Sequence, residues 1–377
     1  MMNAEHPSNW EDYVLDTGEE LISFWRDHLT KRRRDLLFIL GKGFDPRMCL
    51  GIESLLRLEG EGKRDILAVT LDEGVASPST THLPRVDQNW KRLLTLSEGR
   101  STIREKTIRM QSDDGRRIGS RYAAFLFQTE QDISDYDDVV VDISALPRGI
   151  YFPLIAKLLH IFTKPMQKGG RRRNLHVLVS ENPQLDECIS EEGVVDTAAY
   201  VHGFSSGLEM EATTEIPKVW IPLLGERQGV QLRRVYDLVL PNEICPLLPS
   251  PSLEPRRGDD LIYEYRELLF ERLRIEPSNI VYAAERNPFE VYRQVKKIIQ
   301  QFREALKPLG GCKVVVSAHS SKLLSVGALL AAYEERLTSA DVGIAHVESQ
   351  GYTMPDTLPE TQPDLFSLWL AGECYEA

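Results

Sequence analysis

The sequence predicts an α/β protein built as two Rossmann-like halves with mostly parallel, doubly wound sheets. Three observations predict it. Eight short, β-branched runs are apolar on consecutive positions instead of alternating, as strands buried on both faces are. Amphipathic helical stretches separate several of these runs, and strand–helix alternation marks βαβ units. The length of 377 residues fits two domains better than one small core.

The eight runs are LLFIL (36–40), DILAVTL (65–71), DVVVDI (138–143), LHVLV (175–179), KVWIPLL (218–224), NIVYAA (279–284), KVVVSA (313–318) and VGIAHV (342–347). YAAFLFQ (122–128) reads as a further strand, antiparallel or at an edge. Helices are expected over 149–166, 259–275, 288–311 and 321–337, the third stopped by Gly310 and Gly311. Residues 1–30 form a helical lead-in anchored by Trp25 and Leu29, and 31–204 the first half. A polar linker, 205–217, leads to the second half, 218–349, and to a C-terminal docking tail, 350–377, whose DLFSLWLAGECY reads as a short helix. The stretch 240–260 carries five prolines and is long for an internal loop, which points to function or mobility. The two halves share a pattern, but not enough sequence to establish a repeat.

Composition excludes several functions. With 57 acidic and 45 basic residues the net charge is −12, so no duplex nucleic acid is expected as partner. The basic runs KRRR (31–34), RR (116–117) and GGRRR (169–173) then read as solvated loops flanking strands. No apolar run reaches the ~18 residues of a membrane span. The N-terminus is polar and acidic, unlike a secretory or transit segment, so a cytoplasmic location is expected. Five dispersed cysteines indicate neither disulfides nor a CxxC site, and His202, His319 and His346 lack ligand spacing, so no metal is expected.

In an open α/β sheet the ligand crevice lies beyond the carboxyl ends of the strands. Six cations occupy the loops there, no more than the chain average of 45 in 377 would place, so particular loops must carry the reading. In GKGFDPR, Gly41 and Gly43 allow a tight turn close to a phosphate, Lys42 supplies charge, and Asp45 can hold a ribose hydroxyl or a water. In DISALPRG, Asp142 ends a buried strand, Ser144 opens the turn, and Arg148 can clamp a phosphate; capping is the plainer role. In SAHSSK, Ser317, His319, Ser320, Ser321 and Lys322 gather where a strand gives way to a helix, a seat for an anion or a simple cap. No GxSxG elbow supports a serine hydrolase there. In ERNPF, Glu285 and Asn287 can read a ribose or base, and Asn287 before Pro288 also suits an N-cap.

The string LFILGKGFD resembles the opening of sirtuin-like and abortive-infection proteins of bacteria, and the same turn is similar to some methyltransferase openings. The paired-cysteine zinc knuckle of the former is absent, so NAD hydrolysis is not carried over. The alternation over 218–347, with its Ser-Ser-Lys helix start, resembles CARF-type nucleotide sensors of prokaryotic defence. That resemblance implies a sensor or regulatory subunit holding a small anionic, nucleotide-like ligand and signalling to a protein partner or a second copy. The ligand or cofactor left open is a nucleotide or NAD. The alternatives are an enzyme hydrolysing a nucleotide or NAD-like substrate, with Asp45 and Asp142 as acid and base, and a structural subunit with a degenerate pocket.

Overall fold

A computed structural model describes residues 9–74, 77–163, 172–193, 197–205, 207–208, 216–339, 341–349 and 351–375. Most of the expected linker (206 and 209–215), residues 169–171 of the third basic run, residues 1–8 of the lead-in and residues 350, 376 and 377 of the tail lie outside the described residues.

The chain forms two compact units, and neither is continuous in sequence. The first joins Asp12–Gly193 to Ser349–Ala377; the second joins the residues up to Glu11 to Val194–Glu348.

The first unit contains β1 (Val14–Thr17), α1 (Gly18–Thr30), β2 (Leu36–Lys42), α2 (Leu50–Leu56), β3 (Arg64–Asp72), α3 (Leu83–Ser97), β4 (Ile103–Arg109), α4 (Gly119–Ala124), β5 (Asp138–Asp142), α5 (Arg148–Phe162), β6 (Asn174–Glu181), α6 (Pro183–Cys188) and β7 (Ser190–Glu192). The second contains β8 (Ala199–Tyr200), β9 (Lys218–Leu223), α7 (Gly229–Val239), β10 (Glu243–Ile244), β11 (Leu247–Pro249), α8 (Arg257–Arg266), β12 (Val281–Ala283), α9 (Pro288–Ala305), β13 (Lys313–Ala318), α10 (Lys322–Thr338) and β14 (Val342–His346). The chain then returns to the first unit with β15 (Gly351–Thr353) and β16 (Asp364–Ala371).

Both sheets are doubly wound and mostly parallel. The first runs β1-β16-β6-β5-β2-β3-β4, and β2 to β6 are parallel. The second runs β12-β11-β9-β13-β14-β8, parallel up to β14. Counted along the chain, the five parallel strands follow one order in both units, 3-2-1-4-5. Each sheet therefore reverses direction once, between β2 and β5 in the first unit and between β9 and β13 in the second.

Most of the consecutive-apolar runs are buried as their pattern requires; β12 is the exception, an edge strand whose Tyr282 is exposed. β5 and β13 are buried at every position, and β2 at all but its last. Trp25 and Leu29 of α1 pack with Phe38, Met48, Ile52 and Ile66 in the core of the first unit. Trp220, Leu232, Val235, Leu261 and Val315 form that of the second. The α9 helix stops before Gly310 and Gly311, both at positive φ (90° and 96°), which only glycine adopts without strain.

Five segments differ from expectation, the first being residues 14–17 of the helical lead-in, which form the strand β1 because β16 offers it a partner. YAAFLFQ is not a strand: its first residues end α4, and Tyr122 and Phe125 are exposed. The tail segment is not a helix but β16, which inserts antiparallel between β1 and β6. Its apolar run is short enough to suit either element, and open backbone on both neighbours decides for the strand. IREKTIR, with only Ile103 and Ile108 apolar, is the edge strand β4, paired with β3. The proline-rich stretch 240–260 contains β10 and β11, which continue each other along β9. Pro246 separates them and Pro249 ends the second, so the prolines interrupt this strand without abolishing it.

Candidate functional site

In each unit the crevice of interest is the point where strand order reverses, and the loops leaving β2, β5, β9 and β13 define it. The backbones there approach closely. A Cβ on Gly41 would lie 2.7 Å from the Ala145 carbonyl oxygen, and one on Gly225 only 2.1 Å from that of His319. The loop after the first parallel strand thus rests on the loop after the fourth in both units. Gly225→Ala is expected to destabilise the second unit by about 1–3 kcal/mol, because both partners are backbone and cannot rotate away. Thermal unfolding would check this, and an unchanged midpoint would show that the loops can part freely.

In the first unit the expected ligand residues are committed to neighbours. Lys42 Nζ lies 2.8 Å from Glu105 Oε2 and 3.9 Å above the Trp90 ring. Asn89 Nδ2 donates to the carbonyls of Gly43 (3.0 Å) and Asp45 (2.9 Å), fixing the turn. Asp45 caps the following 3₁₀ turn by accepting from Arg47 N at 2.9 Å, and its carboxylate pairs with the Arg47 guanidinium at 2.8 Å. Arg47 is 3% exposed and also reaches Asp186 at 2.8 Å. Burial works against its charge, but the two carboxylates prevail and raise its pKa.

Asp142 and Ser144 are fully buried. Asp142 Oδ1 accepts from Ser144 N (2.9 Å), and Ser144 Oγ accepts from Ser180 N (2.9 Å), tying the β5 loop to β6. Arg148 begins α5 just after Pro147. The first unit therefore brings together Gly41, Lys42, Gly43, Asp45, Asp142, Ser144 and Arg148 at one carboxyl edge.

The other expected residues lie at the carboxyl edge of the second unit's sheet. Ser317 is fully buried; its Oγ accepts from Trp220 Nε1 (2.9 Å) and lies 2.9 Å from His319 Nε2. No substrate reaches that hydroxyl, which removes it as a nucleophile. His319 N donates to the Leu223 carbonyl (2.9 Å), so the β13 loop continues the sheet pairing by one residue. Ser321 caps α10, its Oγ accepting from Leu324 N (3.2 Å), and Lys322 is the first helical residue. Asn287 caps α9, accepting from Phe289 N (3.1 Å) and Glu290 N (3.3 Å). Glu285 Oε2 accepts from Leu253 N (2.7 Å).

Two residues of this edge escaped the sequence reading. Arg257 bridges Glu285 to Glu226, with Nε 2.6 Å from Glu226 Oε1. Burial opposes the Arg257 charge, but the two glutamates raise its pKa, and Glu226 is lowered in turn by that arginine despite its own burial. GERQ and RRGDD carry no motif that joins residues 31 positions apart; only β9–β11 pairing does so.

A buried cluster was also missed, at the opposite end of the first sheet. Asp138 Oδ1 lies 2.8 Å from His28 Nε2 and 3.3 Å from His176 Nε2, and these ligand-type atoms lie within 4.8 Å of one another. The set does not suit a metal. Asn174 Nδ2 already donates to Oδ1 (2.8 Å), and the Arg34 guanidinium stands 3.4 Å from Oδ2. A metal on His176 Nε2 would also put the ring proton on Nδ1, which is buried with no hydrogen-bond partner. The cluster instead holds α1 and β6 to the start of β5.

No protein-family model and no curated protein matches the chain. Solved structures give distant likenesses. One is a type III CRISPR defence DNA nuclease activated by cyclic oligoadenylate, at 12% identity and TM-score 0.43, covering 78% of this chain and 63% of that one. The chain thus spans less than two thirds of that nuclease. Another is a universal stress protein from Archaeoglobus fulgidus, at 8% identity and TM-score 0.24, covering 84% of this chain and 97% of that one. Likenesses this distant carry no argument about activity. Among the described residues, no helix is long and apolar enough to cross a membrane.

Proposed function

We propose that this protein binds a nucleotide or nucleotide-derived ligand at the β9/β13 switch point of the second unit and acts as a sensor or regulatory subunit. The observation that supports this reading is the contact of Gly225 with the His319 carbonyl. It sets the loop after β9 against the start of α10 at the one place where that sheet reverses. A phosphate would lie at Ser320–Lys322, using the α10 N-terminus and the lysine charge. A ribose hydroxyl would meet the Glu226–Arg257–Glu285 group. The first unit's switch point is a poorer receptor, because Arg47 fills its charge needs with Asp45 and Asp186. The same pairing favours binding over hydrolysis: Asp45 serves Arg47, and Asp142 is 1% exposed. Defence is the biological setting that the sequence resemblance implies.

The test is calorimetry with ATP, NAD, cyclic AMP and linear and cyclic adenylate oligonucleotides. At least one is expected to bind, and Lys322→Ala to weaken it at least tenfold, about 1.4 kcal/mol, without moving the unfolding midpoint. Absence of heat from the whole panel would refute the reading.

A further inference from the structure

Within the first unit, the segment 351–361 ties together two loops at the carboxyl edge of the sheet. Tyr352 N donates to Ser79 Oγ (3.1 Å) and Met354 N to His82 Nε2 (3.2 Å). Arg85 Nη2 donates to the Pro355 carbonyl (2.8 Å). These three partners follow β3. Further along, Asn182 Nδ2 donates to Thr361 Oγ1 (2.9 Å), and Asn182 follows β6. In the sheet, β5 and β2 lie between β6 and β3, so this strap joins the two sides of the unit's own switch point. Its hold is light. Met354, 6% exposed, is its one buried side chain, and residues 355–357 are exposed.

One of these contacts differs in kind. A backbone N–H can only donate, so His82 Nε2 presents its lone pair to Met354 and the ring proton sits on Nδ1. A second proton would occupy that lone pair, set two N–H groups against each other and break the bond. The hydroxyl of Ser79, the amide of Asn182 and the guanidinium of Arg85 keep their protonation at mild pH and hold the strap regardless. The charged groups facing His82 are Arg85 on α3, Asp356 on the strap and Glu192 on β7. The Phe44 ring of the GKGFD turn packs against it, 4.7 Å between centroids. Burial, and then Arg85, holds the imidazole below its ordinary 6.5, against the pull of the two carboxylates.

We propose that His82 is a proton-operated latch for the strap: neutral, it holds Met354 to the loop after β3; protonated, it lets go. The closed strap binds fewer protons than the open one. The latch is therefore fully engaged above about pH 6.5 and is lost as the pH falls through the lower value of the closed state. Release bares Met354 and the Phe44 side of the GKGFD turn, and so opens the first unit's switch point in acid. The latch lies wholly within the first unit and does not depend on nucleotide binding in the second.

Oxidation of the Met354 thioether by dilute hydrogen peroxide, followed on the full chain by peptide mass spectrometry at about pH 7.5 and about pH 5.5, tests this. The Met354 rate is expected to be about fivefold higher at the lower pH, the scale of one lost hydrogen bond. Met48, 1% exposed in the core of the same unit, is the internal control, because the Asp138 cluster at the other end of the sheet also loosens in acid. His82→Gln cannot take up the proton, and its Met354 rate is expected to be the same at both pH values. Three results would overturn the proposal. One is a wild-type Met354 rate that does not change with pH. Another is a rise in His82→Gln as large as in the wild type, which puts the proton on a different group. The third is oxidation of Met48 in step with Met354, which makes the opening that of the whole unit.

Discussion

Replacing Asp138 by alanine is expected to cost about 3–5 kcal/mol of stability, the usual penalty for removing one partner of a buried ion pair. The carboxylate is fully buried and receives His28, His176 and Asn174 on one oxygen and Arg34 on the other. Alanine would leave these donors buried around an apolar group. Arg34 keeps Glu373 at 2.9 Å, which places the loss toward the lower end of that range. Asp138→Asn keeps the shape and one acceptor oxygen and should lose clearly less. Urea unfolding followed by fluorescence measures the difference, since the Trp25 ring lies 4.6 Å from that of His176. Equal stability of the two variants would show that the hydrogen-bond set contributes little.

Acid should unlock the same cluster before it reaches the carboxylate. Burial pushes the His176 imidazole down to about 4, against the pull of Asp138. A base whose folded pKa is depressed gives stability that is complete above its unfolded value, near 6.5, and is lost as pH falls toward the folded value. That window corresponds to about 3 kcal/mol. Asp138 is held well below the ordinary carboxylate range: burial opposes this, and its hydrogen bonds to His176 and His28 prevail. Its own contribution is therefore lost only below about pH 4. The groups facing His176 are Asp138 on β5, His28 on α1 and Arg34 ahead of β2. His176→Gln should flatten the stability profile between pH 6.5 and 4. A profile as steep as that of the wild type would place the proton elsewhere.

The fold was readable wherever burial on both faces forced consecutive apolar residues. All eight apolar runs contain strands, β12 among them although it is an edge strand with Tyr282 exposed, and Asn287 and Ser321 cap the helices their positions announced. Legibility failed where pairing, not pattern, makes the strand. IREKTIR lies on an edge and turns only Ile103 and Ile108 toward the core, too few to mark a strand, and β11 keeps its place beside β9 despite its prolines. LFSLWLA fits helix or strand until the open edges of β1 and β6 are known. Of the site, the sequence located the loops at both switch points but not the commitments of their side chains. That Arg47 answers Asp45 is visible two residues away; that Arg257 joins Glu226 to Glu285 is not. The Asp138 cluster was the least visible, with His28 110 positions from Asp138 and brought to it by the docking of α1.

The place of β16 in the first sheet has a consequence for how the protein is made. Synthesis runs from β6 through the whole second unit before the strand that belongs beside β6 exists. On the ribosome, the second unit has every strand of its sheet while the first still shows the bare flanks of β1 and β6. Unpaired flanks of this kind recruit foreign strands. Pairing β16 with β6 and β1 is therefore the last step that completes the first sheet, and it waits until the whole second unit has been made.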